Sequence, residues 1–210
     1  MTPLDQARNK MLSEQLLDRG ITSPSVLAAI ARVPRERFVP AGLQDEAYAD
    51  RALPIECEQT ISQPYIVGLM TQALELTGNE RVLEVGAGSG YQTAILAELA
   101  KEIISIERHA ELAEQARRRL AELGYNNFTL LIGDGTQGWP AGAPYDRIIV
   151  AAAGHDLPPA LFEQLREGGI LVIPLGDGDA QSLKAIRKRD GQPHSADLSG
   201  CRFVPLVASS

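Results

Sequence analysis

The chain has 210 residues, 44% hydrophobic, 22% charged and 5% aromatic, and 20 Lys and Arg against 27 Asp and Glu leave a net charge of −7. That length suits one compact domain, and the composition excludes intrinsic disorder, collagen-like structure and, with two cysteines, a disulfide scaffold. An acidic chain without a basic run is poorly suited to neutralise phosphates or anionic lipid, so neither nucleic acid nor membrane is an expected partner. The N-terminus lacks the apolar core of a signal peptide, and no stretch approaches the roughly 18 apolar residues of a membrane span. A cytoplasmic protein with Cys57 and Cys201 as reduced thiols is the expectation.

Leu4, Ala7, Met11 and Leu12 recur at helical spacing up to Gly20, a C-terminal cap. Ser23-Pro24 reads as an N-cap with proline at the first helical position, opening a second helix that stops before Pro34. Residues 35–63 are irregular, which in a compact domain marks a candidate substrate-facing segment. Ile66, Leu69, Met70 and Ala73 form a helix face ending near Gly78. Strands and helices then alternate: strands at 81–85, 103–107, 128–132, 147–152 and 170–175, and helices at 91–99, 112–124 and from Pro159 to Gly168–Gly169. This alternation implies βαβ units and an α/β fold with a doubly wound, mostly parallel sheet. Gln181–Lys188 and Arg202–Val207 are expected to form an antiparallel pair at the C-terminal sheet edge. The organisation is one compact unit: N-terminal helices and a substrate-facing segment over 1–64, and a cofactor-binding core over 65–210.

The strongest local signal is the first core strand running through Glu84 into Gly86-Ala87-Gly88-Ser89-Gly90 and then a helix. Such glycines make a tight turn and let a ligand approach the backbone. An acid at Glu84 would repel a pyrophosphate but could hold the ammonium of an amino-acid-bearing cofactor, which favours S-adenosylmethionine over a dinucleotide. Glu107, about 20 residues beyond the turn, is placed to accept from ribose hydroxyls. Asp134, between Gly133 and Gly135, could accept from an adenine amino group, with the glycines leaving room for the ring. His109, His155 and His194 lack metal-ligand spacing, so no metal site is assigned. The Arg117-Arg118-Arg119 run reads as a solvated helix face.

These elements together resemble a class I S-adenosylmethionine-dependent methyltransferase of Rossmann-like fold. The Asn/Asp-Pro-Pro-aromatic motif of nucleic-acid amino methyltransferases is absent after the fourth strand, where Val150–Gly154 stands. Gln59-Thr60-Ile61-Ser62-Gln63-Pro64, Ser105–Arg108, Gly133–Gly135 with Gly138-Trp139, Leu171–Pro174 and Arg202–Pro205 are more specific, as are Val33-Pro34-Arg35 and Phe38-Val39-Pro40. In this order they resemble the protein-L-isoaspartate O-methyltransferase family over nearly the whole chain. The resemblance implies methylation of the free α-carboxylate of isoaspartyl residues in damaged proteins and peptides, with closure to a succinimide and repair. It places Thr60, Ile61 and Gln63 at the substrate and Ser62 nearest the reacting carboxylate. Glu84, Gly86, Gly88, Gly90, Glu107, Asp134 and Gly135 fall to the cofactor. A monomer is expected.

The chemistry of a carboxylate substrate fits this reaction. A carboxylate of pKa about 4 is already ionised at neutral pH and needs no general base. Alignment with the sulfonium methyl then dominates, and a hydroxyl such as Ser62 can orient the second oxygen. An alternative role for Ser62 is a turn or N-cap ahead of the next helix. The chain departs from the family at Pro54–Glu58, where acids stand in place of usual glycines, and at Ala151, near which the family commonly has Thr. Glutamates at positive φ would strain the turn and raise the local negative potential. Two other readings therefore stay open: a carboxyl methyltransferase acting on aspartate of a dedicated peptide, and a weakly catalytic cofactor-binding interaction protein.

Overall fold

The computed structural model describes residues 2–178 and 180–208. Helix α1 (Pro3–Lys10) is opened by Thr2, whose hydroxyl accepts from the Asp5 N–H while the Asp5 carboxylate accepts from the Thr2 N–H. A π-helical turn over Met11–Leu16 and a 3₁₀ turn over Leu17–Arg19 continue it until Gly20, at φ +91°, ends the run. The sequence reading expected one regular helix here. Ser23 stands at the N-cap of α2 (Pro24–Arg32), but its side chain makes no capping bond. The Gln72 Oε1 instead accepts from the Thr22 and Ser23 N–H groups at 2.8 and 2.9 Å.

The segment expected to be irregular folds into 3₁₀ turns at Arg35–Phe38 and Ala41–Glu46 and a short hairpin, β1 (Leu53–Pro54) with β2 (Thr60–Ile61). Helix α3 (Pro64–Ala73) follows at once. The core then runs β3 (Arg81–Val85), α4 (Tyr91–Ala97), β4 (Glu102–Glu107), α5 (Ala110–Glu122), β5 (Phe128–Ile132), β6 (Tyr145–Val150), α6 (Pro159–Gln164) and β7 (Leu165–Asp177). Strands β8 (Ala180–Arg189) and β9 (Gln192–Cys201) close it.

The sheet order is β5-β4-β3-β6-β7-β8-β9, parallel from β5 through β7 and antiparallel over β8 and β9. The order reverses at β3, and the crevice outside the carboxyl ends of β3, β4 and β6 is where such sheets bind ligands. Strands β3, β4 and β6 are buried along almost their whole length because helices cover both faces, and the polar Glu84, Ser105 and Glu107 are buried with them. Leu112, Ala113, Ala116 and Leu120 form the buried face of α5. The N-terminal residues Met11, Leu16, Ile30 and Phe38 share one core cluster with Tyr91, Ile95 and Leu112, so the extension packs directly on the sheet domain.

Two expectations at the C-terminal side are corrected. Helix α6 ends at Gln164 rather than at Gly168–Gly169, and β7 begins with Leu165 paired to Tyr145 across an irregular register. The partner of β8 is β9, not Arg202–Val207, with Arg189 opposite Gln192. The two-residue turn is Asp190-Gly191, both at positive φ, and Asp-Gly between two strands is a strong short-range hairpin signal. Strand β9 is an exposed edge, so Gln192–Cys201 lacks the apolar alternation that periodicity detects.

Candidate active site

A cavity of about 320 Å³ opens at the carboxyl ends of β3 and β4. Gly86, Ala87, Gly88 and Ser89 line it from the turn after β3, Glu107 to His109 from the end of β4, and Gly133 with Gly135 from the loop after β5. Ile66, Val67 and Met70 of α3 and the segment Gln59–Gln63 complete it on the substrate side. Residues 202–207 cross over to form another wall. That tail is fixed by Ala153 N–H donating to Val204 O and Leu206 N–H donating to Ala153 O, both at 2.8 Å. Gln181 also accepts from the Phe203 N–H at 2.7 Å. The expected edge strand is therefore part of the site.

The residues assigned to a cofactor divide by position. Gly86 and Gly88 line the cavity at φ +88° and +54°, backbone angles that favour glycine. Glu107 is 5% exposed and lines it too, its two carboxylate oxygens accepting from the Gly88 N–H at 2.8 Å and the His109 N–H at 2.9 Å. A carboxylate accepts about four hydrogen bonds, so Glu107 keeps capacity for ligand hydroxyls. A Cβ on Gly135 would stand 2.3 Å from Val85 Cγ1, so only glycine fits there. Asp134, between two lining glycines, accepts from the Thr136 N–H at 2.8 Å and hydroxyl at 2.7 Å, capping the next 3₁₀ turn.

Gly90, Glu84 and Asp134 are not on the cavity wall. A Cβ on Gly90 would lie 3.1 Å from the Ala116 Cβ, so this glycine lets α4 approach α5. Glu84 is fully buried beneath the turn, its Oε2 accepting from Thr93 Oγ1 at 2.6 Å and from the Ser105 hydroxyl, while Oε1 has no partner among the described residues. Burial pushes its carboxyl up to about 7; the Ser105 and Thr93 hydroxyls pull it back and Glu107 pushes it further up. It ties β3 to α4 and β4 and supports the glycine turn from below. The acceptor pair on Glu107, the glycine turn and the wall formed by Gly133 and Gly135 suit S-adenosylmethionine.

Thr60, Ile61, Ser62 and Gln63 all reach the cavity wall. The N-cap of α3 is Gln63, with Pro64 at the first helical position, so Ser62 is not that cap. The Ser62 carbonyl accepts from the buried Arg35 at 2.7 Å. Gln63 donates to Asp50 Oδ1 at 2.7 Å, Asp50 takes Arg19 at 3.1 Å, and Arg19 stacks over Tyr65 at 3.7 Å. In the turn ahead of β2, Cys57 and Glu58 hold φ +56° and +57°. Glu58 thus sits in a left-handed turn and Glu56 beside it. Glu56 lies 4.0 Å from Arg119, which also donates to the Ser89 carbonyl, and Arg117 donates to the Leu130 carbonyl. Two of the three arginines expected to be solvated therefore bind the fold.

Sequence reasoning gave no role to Arg35 or Gln92, marked Ala151 only as a departure from the family, and read 202–207 as an edge strand rather than a wall of the site. Ala151 and Gln92 line the cavity, and a Cβ on Gly86 would lie 3.5 Å from that of Ala151. The motif Val33-Pro34-Arg35 was the available signal for Arg35, without a role attached. Cys201 lines the cavity and Cys57 sits on the hairpin turn, both as free thiols.

The model of the family "Protein-L-isoaspartate(D-aspartate) O-methyltransferase" matches residues 7–210. A protein-L-isoaspartate O-methyltransferase of Dictyoglomus turgidum is 56% identical over 204 residues, covering 97% of this chain and 93% of its own. One from Methanoculleus marisnigri is 48% identical over 205 residues, covering 98% and 93%. A solved protein-L-isoaspartate O-methyltransferase superimposes with TM-score 0.82 at 28% identity, over 94% of this chain and 65% of that longer one. A Plasmodium falciparum structure titled as a beta-aspartate methyltransferase in complex with S-adenosyl-L-homocysteine gives TM-score 0.83 at 25% identity, over 96% of this chain and 99% of its own. On these matches and the sheet they share, the chain belongs to the protein-L-isoaspartate(D-aspartate) O-methyltransferase family.

Proposed function

We propose that this protein transfers a methyl group from S-adenosylmethionine to the free α-carboxylate of L-isoaspartyl residues in damaged proteins and peptides, initiating repair through a succinimide. The carrying observation is that one cavity is lined by the glycine turn, the Glu107 carboxylate and the Thr60–Gln63 segment together. S-adenosylmethionine, when bound, supplies an electrophilic methyl on a sulfonium. Gly86 and Gly88 would give the backbone clearance it needs, Glu107 would receive its ribose hydroxyls, and Asp134 with Gly135, in the loop after β5, would hold its base. Glu84 and Gly90 act one layer away, by holding the glycine turn in shape. The substrate is already an anion, so the chain has to orient it rather than deprotonate it. Ser62 orients the reacting carboxylate through its hydroxyl, with Thr60, Ile61 and Gln63 lining the approach.

The protein acts as a cytoplasmic monomer without nucleic-acid or membrane partners. Among the described residues, no helix is long and apolar enough to cross a membrane. Matched peptides carrying isoaspartate or aspartate, incubated with S-adenosylmethionine and followed by mass, test the reaction. An ester on the isoaspartyl peptide alone is expected, and an ester on the aspartyl peptide alone overturns the repair reading. Ser62→Ala is expected to lower kcat/KM by about ten- to a hundredfold with cofactor affinity unchanged. An unaltered rate would assign Ser62 a structural role.

A further inference from the structure

Arg35 is completely buried, and its guanidinium stands directly behind the substrate segment. Nε donates to the Ala47 carbonyl and Nη2 to the Ser62 carbonyl, each at 2.7 Å. The guanidinium carbon lies 4.8 Å from the centroid of the Tyr91 ring, and Tyr91 itself lines the cavity. The structure pairs this cation with no carboxylate among the described residues. Nη1 is buried with no hydrogen-bond partner among the described residues. The titratable groups that face it are the hydroxyls of Tyr91, from α4, and Tyr48, from the loop before β1. Burial drags its pKa down and those two hydroxyls resist the shift, but an arginine keeps its proton inside proteins.

A buried, unpaired cation costs stability, and an apolar residue of similar size would pack there more cheaply. Packing alone therefore does not account for arginine at this position. What the guanidinium supplies is a fixed positive charge one residue's width from the cavity wall, in a low-dielectric interior where its field is little screened. The chain as a whole has the opposite sign, with a net charge of −7. Glu58 adds a further acid to the turn just ahead of the substrate segment.

We propose that Arg35 is the positioning residue of the carboxylate subsite: it fixes the Ser62 backbone by its bond to that carbonyl and supplies the positive potential that draws in the isoaspartyl carboxylate. The proposal deepens the isoaspartyl reading above and rests on it. Arg35 touches neither substrate nor cofactor in this arrangement. It acts through Ser62 and through its field.

The test uses Arg35→Met, which removes charge and donors, and Arg35→Lys, which keeps the charge but not the two-pronged bond. Folding is checked by Tm, and cofactor-site integrity by calorimetry with S-adenosylhomocysteine. Binding of an isoaspartyl peptide to the S-adenosylhomocysteine-loaded protein is then compared with that of the same peptide bearing an α-carboxamide. The wild type is expected to favour the carboxylate, and Arg35→Met to lose about tenfold of that preference while binding S-adenosylhomocysteine as before. Arg35→Lys is expected to keep the preference but raise KM for the methylated peptide. It is also the variant to read if Arg35→Met does not fold. An Arg35→Met protein with the wild-type carboxylate preference, or an Arg35→Lys protein with the wild-type KM, overturns the proposal. Wild-type protein that methylates no isoaspartyl peptide overturns the parent reading and this proposal with it.

Discussion

Glu84 sits where a carboxylate is least comfortable, fully buried with two hydroxyls on one oxygen and, among the described residues, no partner on the other. Its pKa in the folded chain stands near 7 against an ordinary 4.5, so the folded state holds the proton longer than the unfolded one. Stability from this group is complete below about pH 4.5, is lost as pH rises through 7, and the total loss is roughly 3 kcal/mol. Glu84→Gln keeps a group that accepts from Thr93 and Ser105 without the charge. It is therefore expected to be more stable than wild type at pH 8 and to show a flatter stability profile between pH 5 and 8. Urea unfolding at several pH values measures this, and parallel profiles for the two proteins would refute it. The structure places Glu84 beneath the glycine turn and off the cavity wall. An acid two residues before a glycine turn reads as a ligand group, but the strand's alternation points it into the layer beneath the turn.

The hairpin of β1 and β2 carries a local conflict between sequence and conformation. Cys57 and Glu58 occupy positions of positive φ that hairpin turns of this kind fill with Asn-Gly. An L-residue in this region costs about 1–2 kcal/mol, which a glycine or asparagine largely avoids. The double replacement of Cys57→Asn with Glu58→Gly is expected to raise stability by about 1–2 kcal/mol. Glu58→Gln, which removes only the charge, is expected to leave stability within about 0.5 kcal/mol. Thermal unfolding of the three proteins separates strain from charge, and equal gains for both variants would assign the effect to charge. Because β2 leads straight into Ser62, strain in this turn is borne by the element that presents the substrate segment. Glu56 is held by Arg119, which also reaches the Ser89 carbonyl, so the hairpin and the cofactor turn share one contact.

At the scale of the whole molecule, the charge of −7 opposes any substrate bearing an extra carboxylate. Long-range repulsion between exposed charges is screened within about 10 Å at 0.1 M salt. Isoaspartyl peptides with basic flanks are therefore expected to show roughly threefold or more higher kcat/KM than acidic-flanked ones at low ionic strength, with the gap closing at high salt. Equal values at low salt would show that the net charge does not act on encounter. The buried field of Arg35 and the net surface charge are separable in this measurement, since salt screens only the second. The architecture makes the combination workable. The sheet order reverses at β3, so the glycine turn, Glu107 and the substrate hairpin meet at one crevice although they are far apart along the chain.

The amino-acid sequence alone determined the alternation of strands and helices, the glycine turn after Val85, the acid at Glu107 and the family motifs. These depend on local periodicity, turn chemistry and residue order, and they were legible for that reason. Tertiary structure decided which side chains meet. Arg202–Val207 has no local feature separating a strand from a wall of the cavity, and its course is set by hydrogen bonds from Ala153 and Gln181, each at least 22 residues away. Strand β9 is too polar to show a period, and only its pairing with β8 makes it a strand. Arg35 is a charged residue in a stretch without regular pattern, and nothing local says that it is buried. Its place behind Ser62 follows from the packing of the N-terminal extension on the sheet domain, a contact that no stretch of sequence contains by itself.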